Sequence, residues 1–448
     1  MKPRAKSKVK AKPKTTSRPS AKLRAATPGK LRVALLGFGT VGRSVAKILL
    51  RDADSPLQLT HIYNRNVARK KVDWVPSHVR WTENVDDVLR SDADVVVELV
   101  GGLDPAGSWV RQALQAGKSV VTANKLLIAE SGAQLSQLAA DKGRRLEFGA
   151  SVAGGIPAII AIEEGLAGDR LTKITGILNG TCNYILTQME AQGAGFSDAL
   201  REAQQLGYAE ADPSGDVEGY DARAKLVILT QAGLRMKVRS DQVRCWPIST
   251  VEAVDFAYAR DMNSTIRQIS MAEIDPVNGS HLYVAVRPAL IPQSSLLAHV
   301  QGSQNMVIAT GEFVGKLVLS GFGAGGDPTA VAVVSDLYSI LRTGGVPPAG
   351  RRAIEVARSI SSELTVPHYL RLVVRDRPGI VAEVAAVLSK HHVSIDALLQ
   401  KPGYAHSALP FTVTLEPCSS AVLDRAFEEI ARLDFHVQPP ICLPMLSE

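Results

Sequence analysis

Apolar residues first gather at Leu31 to Leu36, a strand-like run that ends in the turn Gly37-Phe38-Gly39-Thr40-Val41-Gly42 and leads into a helical pattern from Val41 to Leu50. Further apolar runs at Leu57 to Tyr63, Val95 to Val100, Ser119 to Thr122 and Leu146 to Phe148 read as strands. Helical spacing separates most of them, notably at Pro105 to Ala116 and Gly132 to Asp141. Strands alternating with helices predict an α/β fold, a Rossmann-type doubly wound parallel sheet from about residue 30 to 150.

The rhythm changes from about 150 to 350. Helices are predicted near Ile156 to Leu166, Asn183 to Gln192 and Ser197 to Leu206, and strands at Leu171 to Leu178, Ser264 to Ile274, Leu282 to Val286 and Lys316 to Leu319. This is an α+β pattern, a sheet with helices on one face. After Gly344 to Gly350 and a short connecting helix comes a third pattern. Tyr369 to Val374, Val393 to Leu399, Phe411 to Leu415 and Phe435 to Val437 read as strands, with helices at Val381 to Lys390 and Ala421 to Leu433. Their βαββαβ order predicts a ferredoxin-like module.

Composition agrees with three units. At roughly 100 to 200 residues per domain, 448 residues suggest about three, and 46% apolar content is ample for buried cores. The net charge of +7 belongs to residues 1–30, which hold eight Lys, three Arg and no acid; the other 418 residues carry −4, that is +7 less the tail's +11. With few large apolar residues, this extension cannot offset the entropy of ordering itself and is expected to be disordered. A solvated tail is its leading reading, ahead of loose polyanion binding and of targeting, and nucleic-acid contact is not expected. Cys182, Cys245, Cys418 and Cys442 form no CxxC pair, which suggests reduced thiols without zinc, and no apolar run is long enough to span a bilayer. A cytoplasmic protein without a membrane role is expected.

The Gly37 turn lets a chain turn tightly, bring backbone N–H groups against phosphate and pack the following helix closely on its strand. The second strand ends in His61-Ile62-Tyr63-Asn64-Arg65, with no carboxylate to meet an adenosine ribose. Arg65, followed by Arg69, Lys70 and Lys71, is suited to a 2′-phosphate, which favours NADP(H) and keeps NAD(H) as the alternative. Two lysines are candidates for chemistry. Lys125 follows a short strand, at the end of a parallel sheet where ligands bind. Asp221 and Lys225 are four residues apart on one helix face, so the carboxylate can orient the ammonium. Hydride transfer to a carbonyl leaves negative charge on oxygen, which a positioned ammonium stabilises and then protonates. The acid-rich loop Glu210 to Asp216 just before them suits an amino group, and the glycine cluster Gly321 to Gly326 suits either a ligand or a tight packing turn.

Together, these segments resemble the homoserine dehydrogenases. The resemblance runs through Gly37 to Gly42, Thr122 to Lys125, Ala150 to Pro157, Ile177 to Leu186, Leu206 to Lys225 and Gly323 to Thr329, and it covers residues 30 to about 345. It implies reduction of L-aspartate 4-semialdehyde to L-homoserine, on the route to threonine, methionine and isoleucine. In that reading Lys225 is the proton donor, Lys125 contacts cofactor and substrate, and Asp221 is a second substrate contact that also orients Lys225. Glu210 holds the substrate amino group, and Asn179, Gly180 and Thr181 line the cleft. Gly37, Phe38, Gly39, Thr40, Val41, Gly42, Arg65, Val100, Gly101, Lys125 and Gly325 would contact the cofactor. A sodium ion is implied on the carbonyls of Gly149, Val152, Gly154 and Ile156. The chain departs from the family at Gly149, where glutamate is usual, and at Cys182, where threonine is usual.

Leu370 to Ile380 and Val393 to Asp396 resemble the ACT domain, which implies an amino-acid effector, here L-threonine, with assistance to oligomerisation as the alternative role. The expected organisation is a basic extension over 1–30, a dinucleotide-binding domain over 31–150, and a substrate-binding, catalytic and dimerisation domain over 151–345. A connecting segment over 346–367 then leads to an ACT regulatory domain over 368–448, in a homodimer or homotetramer. Two rivals remain open at this point: a related two-domain dehydrogenase of amino acids or aldehydes, and a regulatory protein without catalysis.

Overall fold

A computed structural model describes residues 30–275, 279–346 and 354–447. The expectation for the basic extension falls outside the described residues, except at Lys30. No helix among the described residues is long and apolar enough to cross a membrane.

Six parallel strands form the first sheet, in the order Arg80–Thr82, Leu57–Tyr63, Leu31–Leu36, Val95–Glu98, Ser119–Thr122 and Leu146–Glu147. Strand order therefore reverses between Leu31–Leu36 and Val95–Glu98, which opens a crevice at the carboxyl ends of those two strands. Both strands are buried on two faces, which explains their continuous apolar runs. The Arg80–Thr82 edge strand is too short and polar to have stood out in the sequence.

A mixed sheet of seven strands follows. Along its main path lie Gly315–Phe322, Gln304–Gly311, Leu171–Ile177, Ser264–Ile274, His281–Pro292 and Ser359–Ser361, and Arg244–Cys245 also pairs with His281–Pro292. The predicted connecting helix is not found among the described residues of its segment. Glu355–Val356 pairs instead with Met236–Lys237, and Ser359–Ser361 pairs with His281 to Tyr283. Ile354, Val356 and Ile360 recur with the even spacing of a strand, and the pairing partners lie about 80 to 120 residues upstream, out of reach of local reading.

The third sheet is antiparallel, in the order Ile395–Gln400, Leu409–Ser419, Thr365–Val374 and His436–Pro444, with helices Ile380–Lys390 and Ser420–Ile430. The expected βαββαβ module is therefore present. It docks on the second unit through buried polar contacts. The Tyr369 hydroxyl donates to Asp255 Oδ1 at 2.7 Å, Arg371 Nε lies 2.9 Å from the same oxygen, and the Tyr258 hydroxyl donates to the Pro410 carbonyl. The Gly326–Arg342 helix runs the other way in space, back against the first helix, Thr40–Leu50.

Candidate active site

The helix Tyr220–Leu229 begins at Gly219, whose φ of +86° favours glycine, and its first turns carry Asp221 and Lys225. Lys225 Nζ donates to Asp221 Oδ2 and to the Leu178 carbonyl, both at 2.7 Å, and only 8% of its side chain is exposed. Asp221 Oδ1 takes an ion pair from Lys125, whose side chain is 40% exposed. Asn179 Nδ2 bridges Asp221 Oδ2 at 2.8 Å and Asp216 Oδ1 at 2.7 Å, while its Oδ1 caps the helix Gly180–Gln192 through the Cys182 amide. Three segments far apart in sequence, at Lys125, Asn179 and Asp221 to Lys225, thus converge on one carboxylate.

Charge is balanced tightly there. Burial alone would push the Asp221 carboxyl up, yet the ammoniums of Lys225 and Lys125 hold it well below the ordinary carboxylate range. Burial works against the Lys125 charge, but Asp221, Asp216 and Glu210 outweigh it and raise its pKa. Asp216 is raised by burial, which the Asn179 hydrogen bond only partly opposes. The cluster can therefore supply fixed positive charge and a proton to an oxygen anion while a carboxylate keeps both ammoniums in place.

Lys125 is the first residue of the helix Lys125–Asp141, which starts seven residues earlier than its apolar spacing suggested because the Asn124 side chain caps it at the Leu127 amide. Glu98, absent from the sequence reading, anchors this region. It is completely buried and accepts from the Val100 and Gly101 amides at 2.7 and 3.0 Å and from the Thr122 hydroxyl at 2.6 Å. Asn124 Nδ2 ties the Gly102 carbonyl to the same corner. An acid closing the run Val95-Val96-Val97-Glu98 was the available signal, since a buried carboxylate in a parallel strand demands partners.

The Gly37 turn fits a dinucleotide cradle. A Cβ at Gly37, where φ is +109°, would lie 2.9 Å from the Leu99 carbonyl oxygen, and one at Gly42 would meet the Gly37 carbonyl oxygen at 2.3 Å. A Cβ at Gly39 would meet nothing, so that face of the turn stands open, with Thr40 exposed and Val41 half-buried. The Phe38 side chain is fully buried against Trp81, which leaves its backbone to the cradle. Arg65 is exposed directly after the second strand, with no ion-pair partner among the described residues.

Gly325, with φ of +118°, caps the helix Gly326–Arg342. Ser44 donates to Asp327 at 2.6 Å across this contact, and a Cβ at Gly326 would lie 2.7 Å from Thr40 Cγ2. The late glycine cluster is thereby set beside the cradle. It also meets the Gly149 to Ile156 segment, where a Cβ at Gly154 would be 2.8 Å from the Gly323 carbonyl oxygen. Asp336 occupies the space beside Gly149: a Cβ there would be 2.7 Å from Asp336 Oδ1, while Oδ2 is buried without a hydrogen-bond partner among the described residues. An orphaned buried carboxylate oxygen beside a loop rich in carbonyls is compatible with a small cation. Glu210 lies exposed on its loop, and the Thr181 hydroxyl donates to the Tyr208 carbonyl at the same edge of the cleft.

Three family models match: the NAD-binding domain of homoserine dehydrogenase over residues 37–149, homoserine dehydrogenase over 157–338, and the ACT domain over 368–435. The homoserine dehydrogenase of Bacillus subtilis is 37% identical over 390 residues, 85% of this chain and 89% of its own. That of Neisseria gonorrhoeae is 36% identical, with 92% and 98% covered. Among solved structures, a homoserine dehydrogenase from Thiobacillus denitrificans superposes with a TM-score of 0.83 at 34% identity, covering 93% of this chain and 98% of that one. A hyperthermophilic archaeal homoserine dehydrogenase in complex with NADPH gives 0.60 at 26% identity, covering 72% and 99%.

Proposed function

The chain belongs to the homoserine dehydrogenase family, and on that premise we propose that it reduces L-aspartate 4-semialdehyde with NADPH in preference to NADH, using Lys225 as the proton donor. The bound nicotinamide supplies the hydride to the aldehyde carbon. Lys225 Nζ, fixed by Asp221 and the Leu178 carbonyl, gives its proton to the carbonyl oxygen as charge develops there. Lys125 shares Asp221 with Lys225 and stabilises the same charge from the exposed side of the cleft. Glu210 receives the substrate ammonium, and Asn179, Gly180 and Thr181 line the remaining wall. Asp221 bridging two ammoniums is the observation that carries this reading.

Gly37 to Gly42, Val100 and Gly101 hold the dinucleotide, Gly325 covers it, and Arg65 meets the 2′-phosphate. The carbonyls of Gly149, Val152, Gly154 and Ile156 would hold a sodium ion, and the neighbouring Asp336 carboxyl, which burial pushes well above the ordinary carboxylate range, would ionise only with such a cation beside it. The enzyme works in the cytoplasm as a homodimer or homotetramer on the route to threonine, methionine and isoleucine. L-Threonine acts through the ACT module.

Initial rates of NADPH oxidation with L-aspartate 4-semialdehyde test the central step. Lys225→Ala should lose turnover by about 10² to 10⁴-fold while still binding NADPH, because proton donation is removed and the cradle is not. A variant that kept its turnover would sink the assignment. Arg65→Ala should weaken NADPH about tenfold and NADH hardly at all, measured as the two dissociation constants; equal losses would refute its contact with the phosphate.

A further inference from the structure

A second built cavity, of about 300 Å³, lies between the mixed sheet and the ACT module, away from the lysine pair. Its inner wall is Arg287, on the strand His281–Pro292. That residue is 7% exposed, yet its Nε has no hydrogen-bond partner among the described residues. Its guanidinium lies 4.1 Å from the centre of the Trp246 ring, and the guanidinium of Arg244 lies 4.3 Å from the same ring. Two cations thus share one indole, and the inner of them is desolvated. Burial lowers its pKa, and the nearby Tyr283 hydroxyl and the more distant Asp424 only partly oppose that.

The opposite wall comes from the ACT module, and its charges are arranged differently. Asp424 and Glu428 are exposed at the mouth, on the helix Ser420–Ile430. Asp424 pairs with Arg244 at 3.6 Å, a loose contact between side chains that are each 56% exposed. Phe427, Ile441 and Leu443 supply the apolar lining between mouth and floor. A buried donor at the floor, carboxylates at the mouth and apolar walls between them match the polarity of a small zwitterion. Its carboxylate would meet Arg287, its ammonium Asp424, and its side chain Trp246 and Phe427.

We infer that this cavity within one chain is a binding site for a small α-amino acid, held by Arg287 and Asp424 across the junction of the catalytic and ACT units. The site is lined by residues of one chain and does not depend on threonine being the effector. The ligand would also contact the wall of the catalytic unit close to its chemistry. Cys245, next to Trp246, has its Sγ 3.7 Å from the Gly219 carbonyl oxygen, at the start of the Asp221 and Lys225 helix.

Calorimetric titration of the full-length enzyme with L-alanine, L-threonine and propionate tests this. At least one amino acid should bind once per chain and at least tenfold more tightly than propionate, which lacks the ammonium. Arg287→Lys should weaken that amino acid about tenfold or more. Asp424→Asn, on the exposed helix and therefore safe for folding, should weaken the amino acid while leaving propionate unchanged. Binding that survives both substitutions but is lost in Asp396→Ala, within the ACT signature, would place the ligand between modules and overturn the proposal. Failure of both amino acids to bind the wild type would overturn it as well. Because these titrations contain no aldehyde or cofactor, their outcome is independent of whether Lys225 is the proton donor.

Discussion

Asp221 and Asp255 are both buried aspartates that meet more than one partner, yet they sit in opposite electrostatic states. Asp221 lies between two ammoniums, which outweigh its burial and keep it well below the usual carboxylate range. Asp255 faces one guanidinium, from Arg371, and burial wins, raising its pKa despite hydrogen bonds from the Glu252 amide and Tyr369. The difference is one of balance and access. Around Asp221 a surplus cation reaches the cleft, ready to meet developing negative charge. Around Asp255 all the charge is committed, and the contact fastens the ACT module to the catalytic unit.

Asp221→Asn should have the largest effect. It should cut kcat by about 10² to 10³-fold, since Lys225 loses its orienting partner and the two ammoniums repel. The alkaline limb of kcat/KM should also move to lower pH, because Lys125 loses the carboxylate that raises it. An unmoved pH profile would reduce Asp221 to a structural role and erase the contrast with Asp255. Asp255→Ala should instead cost roughly 3 kcal/mol of stability, read by chemical denaturation, because the buried Tyr369 hydroxyl loses its acceptor and Arg371 keeps only the more exposed Glu252 as a counter-charge. At temperatures where the variant is still folded, turnover per folded molecule should stay close to wild type.

A smaller, pH-dependent effect sharpens the same distinction. His368, buried in the ACT strand beside Arg287, is pushed down to about 4 by burial, with Arg287 adding to the shift. The unfolded chain takes up a proton near pH 6.5 that the folded one refuses until about 4, so this residue removes stability as pH falls through that window. By the bottom of the window the loss amounts to about 3 kcal/mol. His368→Asn should flatten the loss of stability between pH 6.5 and 4, measured by denaturation at several pH values. An unchanged acid limb would show that the histidine is not held neutral.

Much of this arrangement was legible locally. The Gly37 turn, the i,i+4 pair of Asp221 and Lys225, and the βαββαβ order of the last unit rest on spacings within a few residues of one another. The strand Ser264–Ile274 emerged with the bounds its pattern suggested. Reading failed where neighbours in space are remote in sequence. Gln304–Gly311 and the Glu355 to Ser361 strands owe their form to partners on other segments, and the Lys125 helix starts where a cap, not an apolar rhythm, places it.

By itself, then, the sequence determined the periodic elements, the glycine turns and the residue types able to bind a dinucleotide and donate a proton. These follow from backbone sterics and from side-chain periodicity along a helix or strand. Only the tertiary structure decided that Glu98 would fasten the Val100 and Gly101 amides, that Ser44 would meet Asp327 across 283 residues, and that the buried Arg287 guanidinium would stack on Trp246. Burial and the distances between remote groups set the energy of a charge, and neither exists until the chain has packed.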